Sequence, residues 1–149
     1  IDNWTLRIVG DGELWEAHQR QANELGIANR VQMSHATKNI IEEYHSASML
    51  VMSSRYEGFG MVLLEAQSAG LPTISFDCKC GPSEIICDGR SGYLVPVNDV
   101  ENLSKRIIEL IENPELRIQM GRCSYEDSSR FSEEAVMGKW EDLFNDVIG

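Results

Sequence analysis

The chain has 149 residues, of which 25% are charged and 42% hydrophobic, amounts that suit one globular domain and exclude a disordered or membrane-embedded class. A formal net charge of −11 argues against a nucleic-acid backbone or a broad anionic membrane surface as partner, because such binders gather Lys and Arg on one face. The apolar runs are too short to cross a bilayer and the first residues lack the basic-then-apolar layout of a signal peptide, so the expected location is the cytoplasm. Cys78, Cys80, Cys87 and Cys123 match neither a paired zinc spacing nor a secreted disulfide framework and are expected to be reduced thiols.

Trp4 to Val9 is a short apolar run rich in β-formers that ends in Gly10-Asp11-Gly12-Glu13, a strand running into a turn. From Glu13 to Leu25 core-face positions recur at Leu14, Trp15, Ala17, His18, Ala22 and Leu25, which predicts a one-sided helix closed by Gly26. Val31 to Ser34 predicts a second strand, and Ile40, Ile41 and Tyr44 give the core face of a helix over about 39–46. Met49 to Met52 is a continuous apolar run, as in a strand covered on both faces of a parallel sheet. A helix follows from Gly60, stopped by Gly70 and Pro72, and Thr73 to Phe76 is the next strand. Pro82 opens a short helix, Asp88 to Gly92 is turn chemistry, and Tyr93 to Val95 is a fifth strand. Asn98 with Glu101 resembles a capping pair for a helix through Ile111, and Asn113-Pro114 begins another to about Asp127. Ser132 starts a last helix in which Val136, Trp140, Leu143, Phe144 and Val147 form the packed face, so the three final helices are expected to wrap over the sheet.

This alternation predicts an α/β fold with a doubly wound parallel sheet, a Rossmann-like half, in a single domain over residues 1–149. Ligands of such sheets bind beyond the carboxyl ends of the strands, which singles out the loops at 10–13, 34–37, 53–60 and 77–83.

Between Gly58 and Phe76 the one ionisable side chain is Glu65, in a helix of Met61, Val62, Leu63, Leu64, Ala66 and Ala69. A carboxylate buried there has to be paired, protonated or turned to a ligand, since an unpaired buried charge costs several kcal/mol or more. Gly58-Phe59-Gly60 lies where that helix begins, so the backbone can approach a ligand and the free NH groups can take a phosphate; a plain tight turn is the other reading. Glu57 and Glu65 could each hold a diol through two hydroxyl hydrogen bonds. Their structural alternatives are an exposed turn acid or an amino-terminal helix charge for Glu57 and an ion pair with Arg7, Arg55 or another distant cation for Glu65.

The stretch from Glu57 to Glu65, E-G-F-G-M-V-L-L-E, resembles the E-x7-E motif of retaining family-4 glycosyltransferases of the GT-B fold. R-I-V-G-D-G-E from Arg7 to Glu13, the lead-in from Ala47 to Tyr56, E-A-Q-S-A-G-L-P-T-I from Glu65, G-P-S-E-I-I from Gly81 and D-G-R-S-G-Y-L-V from Asp88 follow that family's nucleotide-sugar domain in order. The resemblance implies that Glu57, the catalytic candidate, meets hydroxyls of the donor sugar and that Glu65 takes the ribose diol. Gly58, Phe59, Gly60 and Met61 would turn backbone NH groups to the sugar and diphosphate, and Gly10 and Gly12 would line the diphosphate side. His35 and Ala36 would border the base, with His35 where the family often has glycine.

The loop from Asp77 to Ile86 resembles members that build bacterial lipid-linked polysaccharides such as O-antigen or capsule from UDP-hexoses or UDP-N-acetylhexosamines. The implied transfer needs no metal and no cofactor; the partners are a nucleotide-sugar donor and a saccharide or lipid-linked acceptor, with no nucleic acid. By the same resemblance the chain is a donor domain lacking its first strand-helix unit, with the diphosphate Arg and Lys, and lacking the amino-terminal acceptor domain. It is then expected to be inactive alone, and its sheet to be rearranged or gapped. A noncatalytic nucleotide- or sugar-binding module is the alternative. A dinucleotide oxidoreductase is disfavoured because Gly12 is followed by Glu13-Leu14-Trp15 with no third glycine.

Overall fold

The computed structural model describes residues 3–148. In order the elements are β1 (Leu6–Val9), α1 (Trp15–Glu24), β2 (Val31–Ser34), α2 (Ile40–Ser46), β3 (Leu50–Met52), α3 (Met61–Ser68), β4 (Thr73–Phe76), α4 (Pro82–Ile85), β5 (Gly92–Val95), α5 (Val100–Glu112), α6 (Pro114–Ser128) and α7 (Glu133–Ile148). Among the described residues all strand pairing is parallel, which is the α/β class that the strand-helix alternation predicts. The ladders fall into two sets, β1-β2 and β3-β4-β5, with none recorded between the sets among the described residues. The chain divides accordingly into two compact units, one up to Ile40 and the other from Ile41.

The first unit is a single β-α-β crossover. β1 and β2 run in register from Leu6 opposite Val31 to Val9 opposite Ser34. Helix α1 ends where the Gly26 NH donates to Asn23 O (3.0 Å) and the Ile27 NH to Ala22 O (3.0 Å), which satisfies carbonyls that a helix end leaves open. Ala22 is its one buried residue among those described. Leu14 and Leu25, expected on the core face of α1, are each 64% exposed. The period of the helix is right, but two short strands offer too little surface to cover the whole stripe.

In the second unit β4 is central, pairing with β3 on one side and β5 on the other, and all four of its residues are buried. Side chains alternate across the strands and so divide the core in two. Ile74, Phe76, Tyr93 and Val95 join Leu103, Leu110 and Met120 of α5 and α6 on one face. Met52, Leu63, Ile85 and Ile86 cluster with Leu50, Phe59, Leu64, Leu94 and Phe131 on the other. Each large side chain so buried contributes about 1.5–3 kcal/mol from removal of apolar surface from water. Gln67, fully buried on α3, donates from Nε2 to Thr73 Oγ1 (3.2 Å) and Ser91 Oγ (3.4 Å), tying the helix to β4 and to the turn before β5. Ser124 Oγ donates to Ser91 O (2.6 Å), and Arg90 pairs with Asp127 and with Glu126 (3.1 Å), so α6 is fastened to the same turn.

Four local expectations are corrected. The cap of α5 is Asp99, which accepts from the Asn102 NH at 3.0 Å; Asn98 is left-handed at φ 68° and belongs to the preceding turn. Ile41 is 63% exposed, so of the expected core face of α2 only Tyr44 is buried and Ile40 half-buried. β3 is only half covered at Leu50 and Val51, unlike β4. The stripe on α7 is not packed: Trp140 is 49% and Phe144 54% exposed, and the helix has no buried residue among those described. Its start is as expected, with Ser132 Oγ accepting from the Ala135 NH at 3.2 Å. All four cysteines are free thiols.

Candidate functional site

In the first unit the parallel strands bring the loops after β1 and β2 to one end of their ladder. The Gly10 NH donates to Ser34 O (2.9 Å), and the Trp15 NH to Gly12 O (3.2 Å). Asp11, between the two glycines, binds the second loop twice: Oδ1 meets His35 Nδ1 at 2.5 Å and Oδ2 accepts from the Ala36 NH at 3.0 Å. The His35 hydrogen bond, then that of Ala36, holds the Asp11 carboxyl below the ordinary carboxylate range. The Trp15 ring stacks on His35, 4.7 Å between centroids and 9° from parallel. Gly10, Gly12, His35 and Ala36 are therefore gathered, and the two residues that gather them, Asp11 and Trp15, are not among those the motif singles out. An acid between two glycines at a strand end is the signal for the first.

In the second unit Gly58, Phe59 and Gly60 lead from β3 into α3. Gly60 is the residue before the helix, left-handed at φ 86°, a conformation that glycine takes without a Cβ penalty. No side chain caps α3 and no acid lies in its first turn, so its first NH groups and partial positive charge stay available to an anion. The turn is held from two sides. Phe59 packs edge-on against Phe131 with centroids 5.8 Å apart, and Gly81 passes so close that a Cβ there would lie 1.7 Å from Phe59 O. Arg130 supports the Gly81 side by donating from Nη2 to Ile85 O at 2.9 Å, at the end of α4. Glu57 is half-buried beside this turn, Gly58 is open, and Met61 is more than half exposed.

Glu65 is exposed, contrary to the burial that its apolar neighbours suggest. Helix α3 buries Leu63, Ala66 and Gln67 and turns Met61, Val62, Glu65 and Ser68 outward, so its surface face is simply apolar apart from the carboxylate and one serine. Among the described residues no ion pair of Glu65 with Arg55 is found. Glu65 Oε2 instead accepts from the Tyr44 hydroxyl at 2.8 Å. Burial, reinforced by Glu65, pushes the Tyr44 phenol far above its ordinary range, so it remains a donor. Two shallow concavities elsewhere, one lined by Glu112, Asn113, Pro114 and Gln119 and one by Gly70, Ile118, Gly121 and Tyr125, include none of these residues.

Residues 1–127 match the family model described as glycosyl transferases group 1. The chain belongs to that family. It is 36% identical over 142 residues to the amylovoran biosynthesis glycosyltransferase of Erwinia amylovora, covering 95% of this chain and 40% of that protein. It is also 36% identical over 146 residues to an exopolysaccharide phosphotransferase of Streptomyces coelicolor, covering 97% of this chain and 16% of that one. Among solved structures it superposes with TM-score 0.87 and 27% identity on a TarM variant of S. aureus in complex with Fondaparinux, alpha-GlcNAc-glycerol and UDP, covering 95% of this chain and 29% of that one. The group 1 chain thus has the Rossmann-like fold of a GT-B carboxyl-terminal domain, and it spans well under half the length of these relatives. Among the described residues no helix is long and apolar enough to cross a membrane.

Proposed function

We propose that the chain binds the nucleotide-sugar donor of a retaining family-4 glycosyltransferase, with Glu57 and Glu65 as the two glutamates of an E-x7-E motif. The observation that carries this reading is the composition of α3: within eight residues it joins an uncapped amino terminus to an outward carboxylate held by a tyrosine. The first feature suits a diphosphate and the second a vicinal diol. Glu65 takes the ribose hydroxyls, Glu57 meets hydroxyls of the transferred sugar, and the NH groups at Phe59, Gly60 and Met61 face the sugar and diphosphate. In the first unit Gly10 and Gly12 serve the diphosphate side, and His35 and Ala36 border the base.

The donor is proposed to be a UDP-hexose or UDP-N-acetylhexosamine, a choice supported by the UDP and alpha-GlcNAc-glycerol held by the TarM relative. Transfer breaks the bond from the anomeric carbon to the diphosphate oxygen and forms one from an acceptor hydroxyl oxygen on the same face, the hydroxyl proton passing to the departing diphosphate, without a metal. Charge on the leaving diphosphate is stabilised by the α3 amino terminus together with cationic groups of a longer polypeptide. The acceptor, a saccharide or lipid-linked saccharide of bacterial polysaccharide synthesis, binds to a further domain of that polypeptide, at the cytoplasmic face of the membrane, and the 149 residues alone are inactive.

Calorimetric titration with UDP, GDP and ADP tests the reading. UDP is expected to bind best, and Glu65→Ala to weaken it roughly 10- to 100-fold, the worth of charge-assisted hydrogen bonds. Equal UDP affinity in that variant would sink the ribose assignment.

A further inference from the structure

We infer that Tyr44 is a positioning residue that makes Glu65 selective for a ribose over a 2′-deoxyribose. The inference rests on the proposed reading of Glu65 as the diol carboxylate and adds to it the residue that orients that group. Tyr44 is 6% exposed, on α2, while its hydroxyl reaches the exposed Glu65 of α3 at 2.8 Å. The ring is locked by packing, so the donor at its tip occupies one place. Glu65, by contrast, is a flexible side chain on an open helix face, which in water would sample several rotamers.

The hydrogen bond connects a fixed group to a free one. It uses one acceptor position of Oε2 and leaves Oε1 open, with a further acceptor position on Oε2, enough for two neighbouring hydroxyls. Orientation in advance removes rotamer freedom that a ligand would otherwise have to freeze, and the benefit goes to whichever ligand uses both oxygens. A diol does so. A deoxyribose offers one hydroxyl and gains little. The phenol is also kept neutral and donating by its burial and by the carboxylate itself, so the contact does not switch off near neutral pH.

A purely structural role for Tyr44 predicts something different. Loss of the hydroxyl would then disturb α2 and α3 together and weaken every ligand of the site by a similar factor. The two roles separate in a ratio of affinities.

The experiment titrates UDP and 2′-deoxy-UDP into the wild-type chain, Tyr44→Phe and Glu65→Ala. Phenylalanine keeps the packing of the ring. Wild type is expected to favour UDP about 10-fold or more, and Tyr44→Phe to lose roughly 3- to 10-fold in UDP affinity with little change for 2′-deoxy-UDP, so that the ratio falls by the same factor. An unchanged ratio in Tyr44→Phe, or an equal loss for both ligands, overturns the positioning role while a collapsed ratio in Glu65→Ala leaves the diol reading standing. A full ratio in Glu65→Ala, or no preference in wild type, removes the diol reading and this inference with it. Without ligand, the Tyr44 13Cζ resonance should move in Glu65→Gln; a resonance that stays in place shows that the contact does not exist in solution.

Discussion

The two units are built from the same grammar of parallel strands and connecting helices, yet they hold their functional loops by different means. In the first, Ala22 of α1 is the one buried residue among those described, and the loop after β2 is fastened by the exposed Asp11 carboxylate and the stacked Trp15. In the second, apolar clusters on both faces of β4 anchor the turn before α3, with the half-buried Phe59 packed against one of them. Hydrogen bonds at exposed sites add little net stability, whereas buried apolar area dominates. The glycine turn of the second unit is therefore a rigid feature, and the His35 loop of the first depends on charge and solvent conditions.

The second unit is most vulnerable at Gly81. A Cβ there would fall 1.7 Å from a backbone carbonyl at a φ of 94°, so Gly81→Ala should destabilise the second unit by about 4 kcal/mol or more and displace Phe59 from its place. Urea unfolding followed by circular dichroism measures the first effect, and Phe59 amide shifts the second; wild-type values for both would mean that the two loops do not touch.

Next in size is a matched pair of leucines. Leu110→Ala, at a fully buried position, should cost about 2–5 kcal/mol, while Leu14→Ala in the first unit should stay within about 0.5 kcal/mol. Equal losses would show that α1 has a cover in solution that the two-strand unit does not supply.

The smallest effect concerns Arg90 and Asp127. Burial alone would raise the Asp127 carboxyl, but contacts from Cys87, Arg90 and Ser91 outweigh it and leave the group below its ordinary value. A carboxyl depressed in the folded state stabilises at pH above its unfolded value, near 4, and that contribution is lost as pH falls through the folded value. Arg90→Ala should thus lower stability modestly at pH 7, because Arg90 is half exposed and its pairing is screened by water, and should flatten the loss of stability on acidification. A variant that retains the full acid dependence would assign it to other carboxyls.

Much of the fold is legible in the residues themselves. Gly26, Pro72, Pro82 and Pro114 mark boundaries because their backbone chemistry leaves few alternatives, and Thr73 to Phe76 is legible as a strand, although the double cover expected at Met49 to Met52 falls on it instead. Periodicity is a weaker guide to cover. It identifies a helix face but not what lies against it, so Leu14, Ile41 and the Trp140–Phe144 stripe read as core and prove exposed. The same limit applies at Glu65, whose apolar neighbours divide into an inward set and an outward set that composition cannot distinguish. Tyr44 is legible as a core residue through its spacing, whereas the hydroxyl that crosses to Glu65 depends on the packing of α2 against α3, which no local pattern contains.

Gln67 has a consequence for the candidate site although it never reaches the surface. It lies two residues after Glu65, about 200° round the helix. Its amide finds Thr73 and Ser91 at a single azimuth of α3, so the helix is keyed in rotation like a shaft on its spline. An apolar side chain of equal volume would fill the same space while tolerating some twist. The inward amide thereby sets the bearing of the outward carboxylate, and the geometry offered to a ligand is decided on the far side of the helix.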